Sequence, residues 1–220
     1  MGDRPDVTKN LVEQYRTTSY LTRLYGHMLY FISGLHRLPK TARIIDCACG
    51  GGALIEVLQA RGFHAIDGFD ASVDMVELSR SITGIDIKRM EARDMASNYP
   101  HDSFDAVCIS GMLHHLEDQE EFDKFLFGCR DLLKSGGLVV IREPHPTLLM
   151  RTFTMMSRHG IFYIGFLTSR LNSIVIEHEL LTQFYHRWVG QHSQVLARYG
   201  LTETRAINWF ESRIVVARKQ

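Results

Sequence analysis

The chain has 220 residues, which is enough for one large domain or two small ones. Its 25 Lys and Arg residues balance 25 Asp and Glu residues, and a neutral composition argues against a nucleic-acid partner because such domains usually carry a basic excess. The four cysteines do not follow a disulfide pattern, and the first ten residues contain no apolar targeting core. We therefore expect a cytoplasmic protein with reduced thiols, no transmembrane segment and no nucleic-acid partner.

The N-terminal part of the chain has helical periodicity. Apolar residues recur at helical spacing over residues 7–38, and the pattern stops before Pro39. We expect two consecutive helical pieces here.

Residues 44–54, with the sequence IIDCACGGGAL, predict a buried parallel strand that turns sharply into a helix. Gly50 and Gly52 lack a Cβ, so the backbone can bend tightly and approach a ligand. The first N–H groups of the following helix have no partner within the helix and suit polar or anionic ligand atoms. Cys47 and Cys49 lack a second Cys or His pair at zinc-ligand spacing, so we expect no metal site.

The next unit repeats this strand–helix order. Residues 64–70 predict a strand that ends on Asp70, and the helix after it has an apolar side made of Val73, Val76, Leu78 and Ile82. Asp70 lies 24 residues after Asp46, about the separation at which an acid closing the second strand accepts hydrogen bonds from both ribose hydroxyls. The alternative is that Asp70 caps the helix.

The rest of the chain predicts further strands, with ligands expected beyond their carboxyl ends. Residues 110–115 and 143–145 should therefore converge on one crevice. The predicted strands are residues 85–90, 103–110, 138–141, 201–207 and 212–218, and the predicted helices are residues 118–134, closed by Gly136 and Gly137, and residues 177–199.

Four stretches, in this order, resemble the motifs of class I S-adenosylmethionine-dependent methyltransferases: IIDCACGGG, GFDASVDMVELSR, EARDM and SFDAVCISGMLHHL. The resemblance covers about residues 43–143, and Ala48 stands where glycine is commoner. It implies an α/β fold, a Rossmann-like, doubly wound sheet of seven strands with helices on both faces. Most strands would be parallel, with an antiparallel strand near the C-terminal edge.

The same resemblance implies S-adenosylmethionine as the cofactor. In the family Asp70 would bind the ribose, Asp94 the adenine amine and the Met95 N–H a ring nitrogen, while a tyrosine of the leading helices, Tyr15, Tyr20 or Tyr25, would contact the methionine tail. The expected cofactor-binding residues are Asp46, Ala48, Gly50, Gly52, Asp70, Ala71, Met75, Asp94, Met95, Ser110 and Tyr20.

S-adenosylmethionine carries an already activated methyl group, so the protein must align the acceptor, exclude water and, where needed, remove a proton. A histidine in the crevice suits the last task because its ordinary pKa is about 6.5. His114 and His145 are the candidates, with Glu143 as a second choice or an orienting partner. The alternative for His114 and its neighbour His115 is a packing role.

The motifs exclude some subclasses of the methyltransferase family, and this narrows the class of acceptor. Residues 110–113, SGML, differ from the [D/N]-P-P-[Y/F] motif of methyltransferases that act on base amines. The resemblance therefore favours O, N or C methylation of a small, partly apolar metabolite. The alternatives are a family member that catalyses a non-methylating reaction, a protein or RNA methyltransferase, and a nicotinamide-dependent dehydrogenase.

We interpret residues 1–220 as a single domain in which residues 1–40 form a helical cap. Residues 147–176 are rich in large apolar side chains and longer than a plain connection requires. A lid over the acceptor is the first interpretation of this insertion, a homodimer contact the second and a membrane-surface segment the third.

Overall fold

The structure is a computed structural model that describes residues 19–116, 118–145, 188, 190–209 and 212–220. The helices are α1 (Ser19–Ile32), α2 (Ala53–Ala60), α3 (Val73–Thr83), α4 (Met95–Asn98), α5 (Gln119–Leu132) and α6 (His192–Arg198), with 3-10 turns at Leu35–Arg37, Ala92–Asp94 and Leu113–His115. The strands are β1 (Ile44–Cys47), β2 (Ile66–Asp70), β3 (Lys88–Arg89), β4 (Phe104–Ser110), β5 (Leu133–Pro144), β6 (Leu201–Trp209) and β7 (Ser212–Lys219).

The seven strands of the described residues form one sheet in the order β3-β2-β1-β4-β5-β7-β6. Strands β1 to β5 pair in parallel, and β7 runs antiparallel to both β5 and β6. This arrangement confirms the predicted fold class. The strand order reverses between β1 and β4, so a crevice opens beyond their carboxyl ends, where ligands bind in sheets of this kind.

The two faces of the sheet pack against different helices because successive strand residues point to opposite sides. Val139 and Ile141 of β5 belong to the core beneath α5 and α6. Leu138 and Val140 of the same strand belong to the core beneath α1 and α2. Burying both faces explains why the central strands are nearly continuous apolar runs.

The end of α5 differs from the prediction. The helix stops at Leu132 rather than at residue 134, and β5 begins at once with Leu133. Leu133 pairs with Phe104 and Leu138 pairs with Ala106, so the four residues between them form an irregular loop inside the strand range. Gly136 supplies the left-handed backbone of that loop rather than a helix cap.

The buried side of α3 also differs from the prediction, which was wrong for two residues. Val73 and Ile82 are 43 % and 46 % exposed. The buried stripe is instead formed by residues at true helical spacing, including two polar ones: Met75, Val76, Leu78, Ser79 and Thr83. The short hydroxyl side chains fit here because the glycine turn after β1 packs directly on them, as described below.

Other element bounds shift by a few residues, with β3 reduced to two residues and β6 extended to Trp209. Residues 1–18 and 146–187 lie outside the described residues. The first helical piece, most of the helix predicted for residues 177–199 and the apolar insertion at residues 147–176 therefore stay predictions. Trp188, Val195 and Leu196 are buried, as that helix pattern predicted. The predicted helix was wrong at residues 190 and 191, which form a turn before α6 in which Gly190 has a left-handed φ of 81°.

The turn after β1 requires left-handed backbone at three positions. The φ angles are 53° at Ala48, 51° at Gly50 and 81° at Gly52. Glycine is favoured at such angles, which explains why it is commoner at the position of Ala48. A Cβ on Gly52 would lie 2.5 Å from Ser79 Oγ and 2.8 Å from Thr83 Cγ2, so this turn is pressed against α3.

We predict that Gly52→Ala lowers the free energy of unfolding more than Gly84→Ala does. Gly84 has a similar φ of 70°, but a Cβ added to it would meet no described atom within 4 Å, so its substitution costs only the left-handed strain, about 1 kcal/mol. Gly52→Ala adds steric overlap with α3, which costs about 1–3 kcal/mol more. Urea unfolding of both variants measures the difference. Equal losses of unfolding free energy in Gly52→Ala and Gly84→Ala would show that α3 shifts to accommodate the added Cβ without a cost in stability.

Candidate active site

The carboxyl ends of β1, β2, β4 and β5 lie along one edge of the sheet, and antiparallel β7 begins there. Acidic side chains follow the strands on one half of this edge, at Asp46, Asp70 and Asp94. Arginines and histidines follow those on the other half, at Arg142, His145 and Arg213, together with His114 and His115 after β4. The two halves of the edge therefore differ in residue type, although one further acid, the fully buried Glu143, lies on the half with the arginines and histidines.

Asp70 holds the glycine turn from the neighbouring strand. Its Oδ2 accepts a hydrogen bond from the Gly50 N–H at 2.9 Å, and its Oδ1 accepts one from the Ser72 N–H at 2.9 Å. The N-cap of α3 is Ser72, whose Oγ accepts from the Met75 N–H at 3.4 Å, so Asp70 is not the cap. A carboxylate has about four acceptor positions, which leaves capacity for ligand hydroxyls.

Asp46 is 3 % exposed at the end of β1. Burial, and then the charge of Asp70, raise the pKa of Asp46 to about 8. The group is therefore mainly protonated at pH 7 in the free protein. A cation bound beside it would favour the ionised form, since an opposite charge lowers the pKa of a carboxyl.

Four other predicted cofactor residues are placed as follows. Ala71 is exposed and Met75 is 3 % exposed at the start of α3. Asp94 is exposed at the start of α4, where its carboxylate can reach a ligand. The Met95 N–H donates to the Ala92 carbonyl, and the Met95 side chain is buried with its sulfur 3.5 Å from Cys47 Sγ. The adenine roles of Asp94 and Met95 stay predictions.

The loop after β4 is organised by a second buried carboxylate. Glu143 is fully buried, and its Oε1 accepts from the N–H groups of Met112 and Leu113, each at 2.9 Å. Its Oε2 lies 2.7 Å from His114 Nδ1. Sequence reasoning proposed Glu143 as a second choice of base or as an orienting partner, and the structure joins it with His114 in one network that fixes the loop.

His115 stacks on His114 with ring centroids 4.1 Å apart. Burial lowers the pKa of His115, and the neighbouring His114 lowers it further. His115 is therefore neutral at pH 7.

His145 is partly exposed immediately after β5, and its Nδ1 is buried without a hydrogen-bond partner among the described residues. Burial lowers the pKa of His145, and Arg213 and His192 lower it further. The imidazole is therefore neutral, and so basic, at pH 7.

Sequence reasoning missed an aromatic and cationic stack at this edge. The guanidinium of Arg142 lies 4.2 Å above the Tyr25 ring, and Tyr25 meets Trp209 edge-on at 5.3 Å. Arg142 also donates to Ser110 Oγ at 3.2 Å. Tyr25 thus contacts Arg142 of β5 and Trp209 of β6, while the side chain of Tyr20 and all of Tyr15 fall outside the described residues.

Arg142 could have been found from its position, because it follows an apolar strand directly, as Asp70 does. Trp209 and Arg213 could not, because only the antiparallel return of β7 brings them to this edge. Among the described residues no group of three or more His, Cys, Asp or Glu side chains is arranged to hold a metal ion, and the four cysteines are buried and free.

We predict that Asp46→Asn changes how stability depends on pH. The folded carboxyl keeps its proton up to about pH 8, whereas the unfolded one loses it near its ordinary pKa of 3.8. Between these values the folded state binds more protons, so Asp46 lowers stability as pH rises, by up to about 1.4 kcal/mol per pH unit. Asp46→Asn should therefore gain stability relative to wild type between pH 4.5 and 7.5, as measured by urea unfolding.

The matched control is Asp86→Asn, since the Asp86 side chain is 87 % exposed. Its stability relative to wild type should not change with pH in this way. If the difference in free energy of unfolding between Asp46→Asn and wild type is the same at pH 4.5 and pH 7.5, the pKa of Asp46 is not raised.

Comparison with known proteins gives three findings. A family model described as a methyltransferase domain matches residues 45–141. A ubiquinone biosynthesis O-methyltransferase from Neisseria meningitidis is 30 % identical over 117 residues, which is 50 % of this chain and 47 % of that protein. One from Xylella fastidiosa is 33 % identical over 111 residues, 49 % of this chain and 44 % of that protein. The chain spans about half the length of the curated relatives it matches.

Solved structures share the fold. A proposed S-adenosyl-L-methionine-dependent methyltransferase from Methanococcus maripaludis has a TM-score of 0.70 at 18 % identity, covering 100 % of this chain and 97 % of that one. An S-adenosylmethionine-dependent methyltransferase from Archaeoglobus fulgidus has a TM-score of 0.57 at 17 % identity, covering 94 % and 97 %. The solved structures confirm the predicted fold class. Residues 45–141, a little under half of the chain, match the methyltransferase domain model.

Proposed function

We propose that the protein transfers the methyl group of S-adenosylmethionine to a hydroxyl oxygen of a small, partly apolar metabolite. The observation that carries the proposal is the clamp of Asp70 on Gly50 and Ser72, with protonated Asp46 beside it. Oxygen as the methylated atom is supported by the O-methyltransferase relatives, which match half of this chain.

The residues of this half of the edge fit the cofactor. The turn is partly exposed at Ala48 and Gly50, where its backbone can meet a ligand, and the acids around it suit a cationic ligand with ribose hydroxyls. When bound, S-adenosylmethionine supplies a methyl group on a positively charged sulfur, so no further activation of the methyl donor is needed. Asp46 and Asp70 would hold the cationic and ribose parts.

On the other half, His145 is the group we assign as general base. Its neutral imidazole at pH 7 can take the proton of an acceptor hydroxyl, and Nδ1 has no competing partner among the described residues. Glu143 and His114 are positioning residues in this proposal, because the carboxylate is fully buried and bonded to the loop backbone.

We extend the proposal to the whole chain as one cytoplasmic domain, with residues 1–40 as a cap and residues 147–176 as an acceptor lid or, alternatively, a dimer contact. Buried free thiols at all four cysteines support a reducing compartment. Within the described residues, no helix is both long and apolar enough to span a bilayer.

The direct test measures S-adenosylhomocysteine formation by the purified protein with a library of small hydroxylated metabolites. We expect product with at least one acceptor and its loss in Asp70→Ala, whose turn lacks the clamp. Cofactor binding without product across the library would favour the alternative of a non-methylating family member. Absence of cofactor binding would contradict the proposal altogether.

We predict that His145→Gln lowers kcat by about 10²–10⁴-fold, the usual contribution of a general base. The wild-type rate should fall below the pKa of His145, which lies under 6.5, because protonated imidazole cannot accept the proton. His145→Gln should lack this acid limb in a pH profile of kcat. The control is His64→Gln, an exposed histidine before β2. An unchanged acid limb in His145→Gln would exclude His145 as the base.

A further inference from the structure

Arg213 lies at the start of β7, on the ligand-side edge of the sheet. It pairs across strands with Glu143 of β5 and with Asn208 of β6. Directly paired residues of antiparallel strands project to the same face, so the Arg213 and Glu143 side chains share one face of the sheet. This face also carries Ile141 and Val215, beneath α5 and α6.

The guanidinium of Arg213 is held in place but not neutralised by the described residues. Its Nη1 donates to Asn208 Oδ1 at 2.9 Å, whereas its Nε is buried without a hydrogen-bond partner among the described residues. The nearest acid in the pairing, Glu143, already accepts from the Met112 and Leu113 N–H groups and contacts His114. A permanently charged group with a buried, unpaired donor is costly unless a ligand completes it.

His145 follows two residues after Glu143, the cross-strand partner of Arg213, and its Nδ1 is likewise buried and unpaired among the described residues. Two incomplete polar groups therefore lie near each other where β5 ends and β7 begins, and the Arg213 charge lowers the pKa of His145. Glu143, the acid on the same face, is engaged by the Met112 and Leu113 N–H groups and by His114, and Asp46, Asp70 and Asp94 lie on the other half of the edge. The unpaired Nε of Arg213 therefore remains available to an anion.

We propose that Arg213 is the residue that selects the acceptor, by binding an anionic substituent, a carboxylate, next to the hydroxyl that is methylated. The inference rests on the proposed function and names its substrate class: small hydroxylated carboxylic acids. The planar guanidinium can donate two parallel N–H hydrogen bonds to a carboxylate. The hydrogen bond from Arg213 to Asn208 fixes the orientation of the guanidinium plane. A neutral analogue would leave the Nε of Arg213 unpaired.

The test uses matched probes and protein saturated with S-adenosylhomocysteine. Phenylacetate and phenylacetamide have the same shape but differ in charge, and their binding is measured by ligand-observed NMR titration against wild type, Arg213→Gln and Arg218→Gln. Arg218 is the control because it lies at the far end of β7, where it donates to the Gly136 carbonyl. Thermal unfolding of each variant shows that it is folded.

We expect wild type to bind phenylacetate at least tenfold more tightly than phenylacetamide, as one charge-assisted hydrogen bond implies. Arg213→Gln should lose that preference, and Arg218→Gln should keep it. Equal binding of the two probes by wild type, no binding of phenylacetate, or an undiminished preference in Arg213→Gln would overturn the proposal.

These outcomes are separate from a failure of the proposed function. If the protein does not bind S-adenosylhomocysteine, the cofactor assignment fails, and the same titration on the free protein still tests the anion site. If methylation occurs but the best acceptors in the library are neutral molecules, the methyltransferase assignment stands and the role of Arg213 is wrong.

Discussion

Two carboxylates at strand ends hold both ligand-side loops, and the rest of the site depends on them. Asp70 at the end of β2 accepts from two backbone N–H groups, one of them in the turn after β1. Glu143 at the end of β5 accepts from two N–H groups in the loop after β4. In each case an outer strand supplies the acid that shapes the loop of its inner neighbour. Charge-assisted bonds to backbone N–H groups are among the stronger hydrogen bonds, so they can hold left-handed backbone in place.

Asp70 and Glu143 differ in exposure and therefore in function. Asp70 is only partly buried and retains acceptor capacity, so the same group that shapes the turn can contact a ligand. Glu143 is fully buried and bonded on both oxygens, so its effect on chemistry is indirect, through the position of the loop and His114. This difference explains why two acids in equivalent places on the sheet receive different roles, one in binding and one in positioning.

Sequence patterns predicted the sheet and the glycine turn and singled out Asp70 and Glu143 as site residues, because strand ends and motif order depend on local residues. They did not predict that these two acids bind loop N–H groups. They failed where the outcome depends on contacts between distant segments. Ser79 and Thr83 are buried because the turn at Gly52 packs on them, which no apolar pattern shows. Trp209 reaches Tyr25 only through the antiparallel pairing at the sheet edge.

We propose that the acidic half of the edge, with a protonated Asp46, accepts a cationic cofactor. Calorimetry in buffers of different ionisation enthalpy gives the number of protons released when S-adenosylmethionine binds at pH 7. We expect wild type to release close to one proton, because Asp46, with a pKa of about 8, ionises beside the bound cation. Asp46→Asn should still bind but release fewer protons by nearly that amount. Equal proton release by wild type and Asp46→Asn would show that Asp46 does not ionise when the cofactor binds.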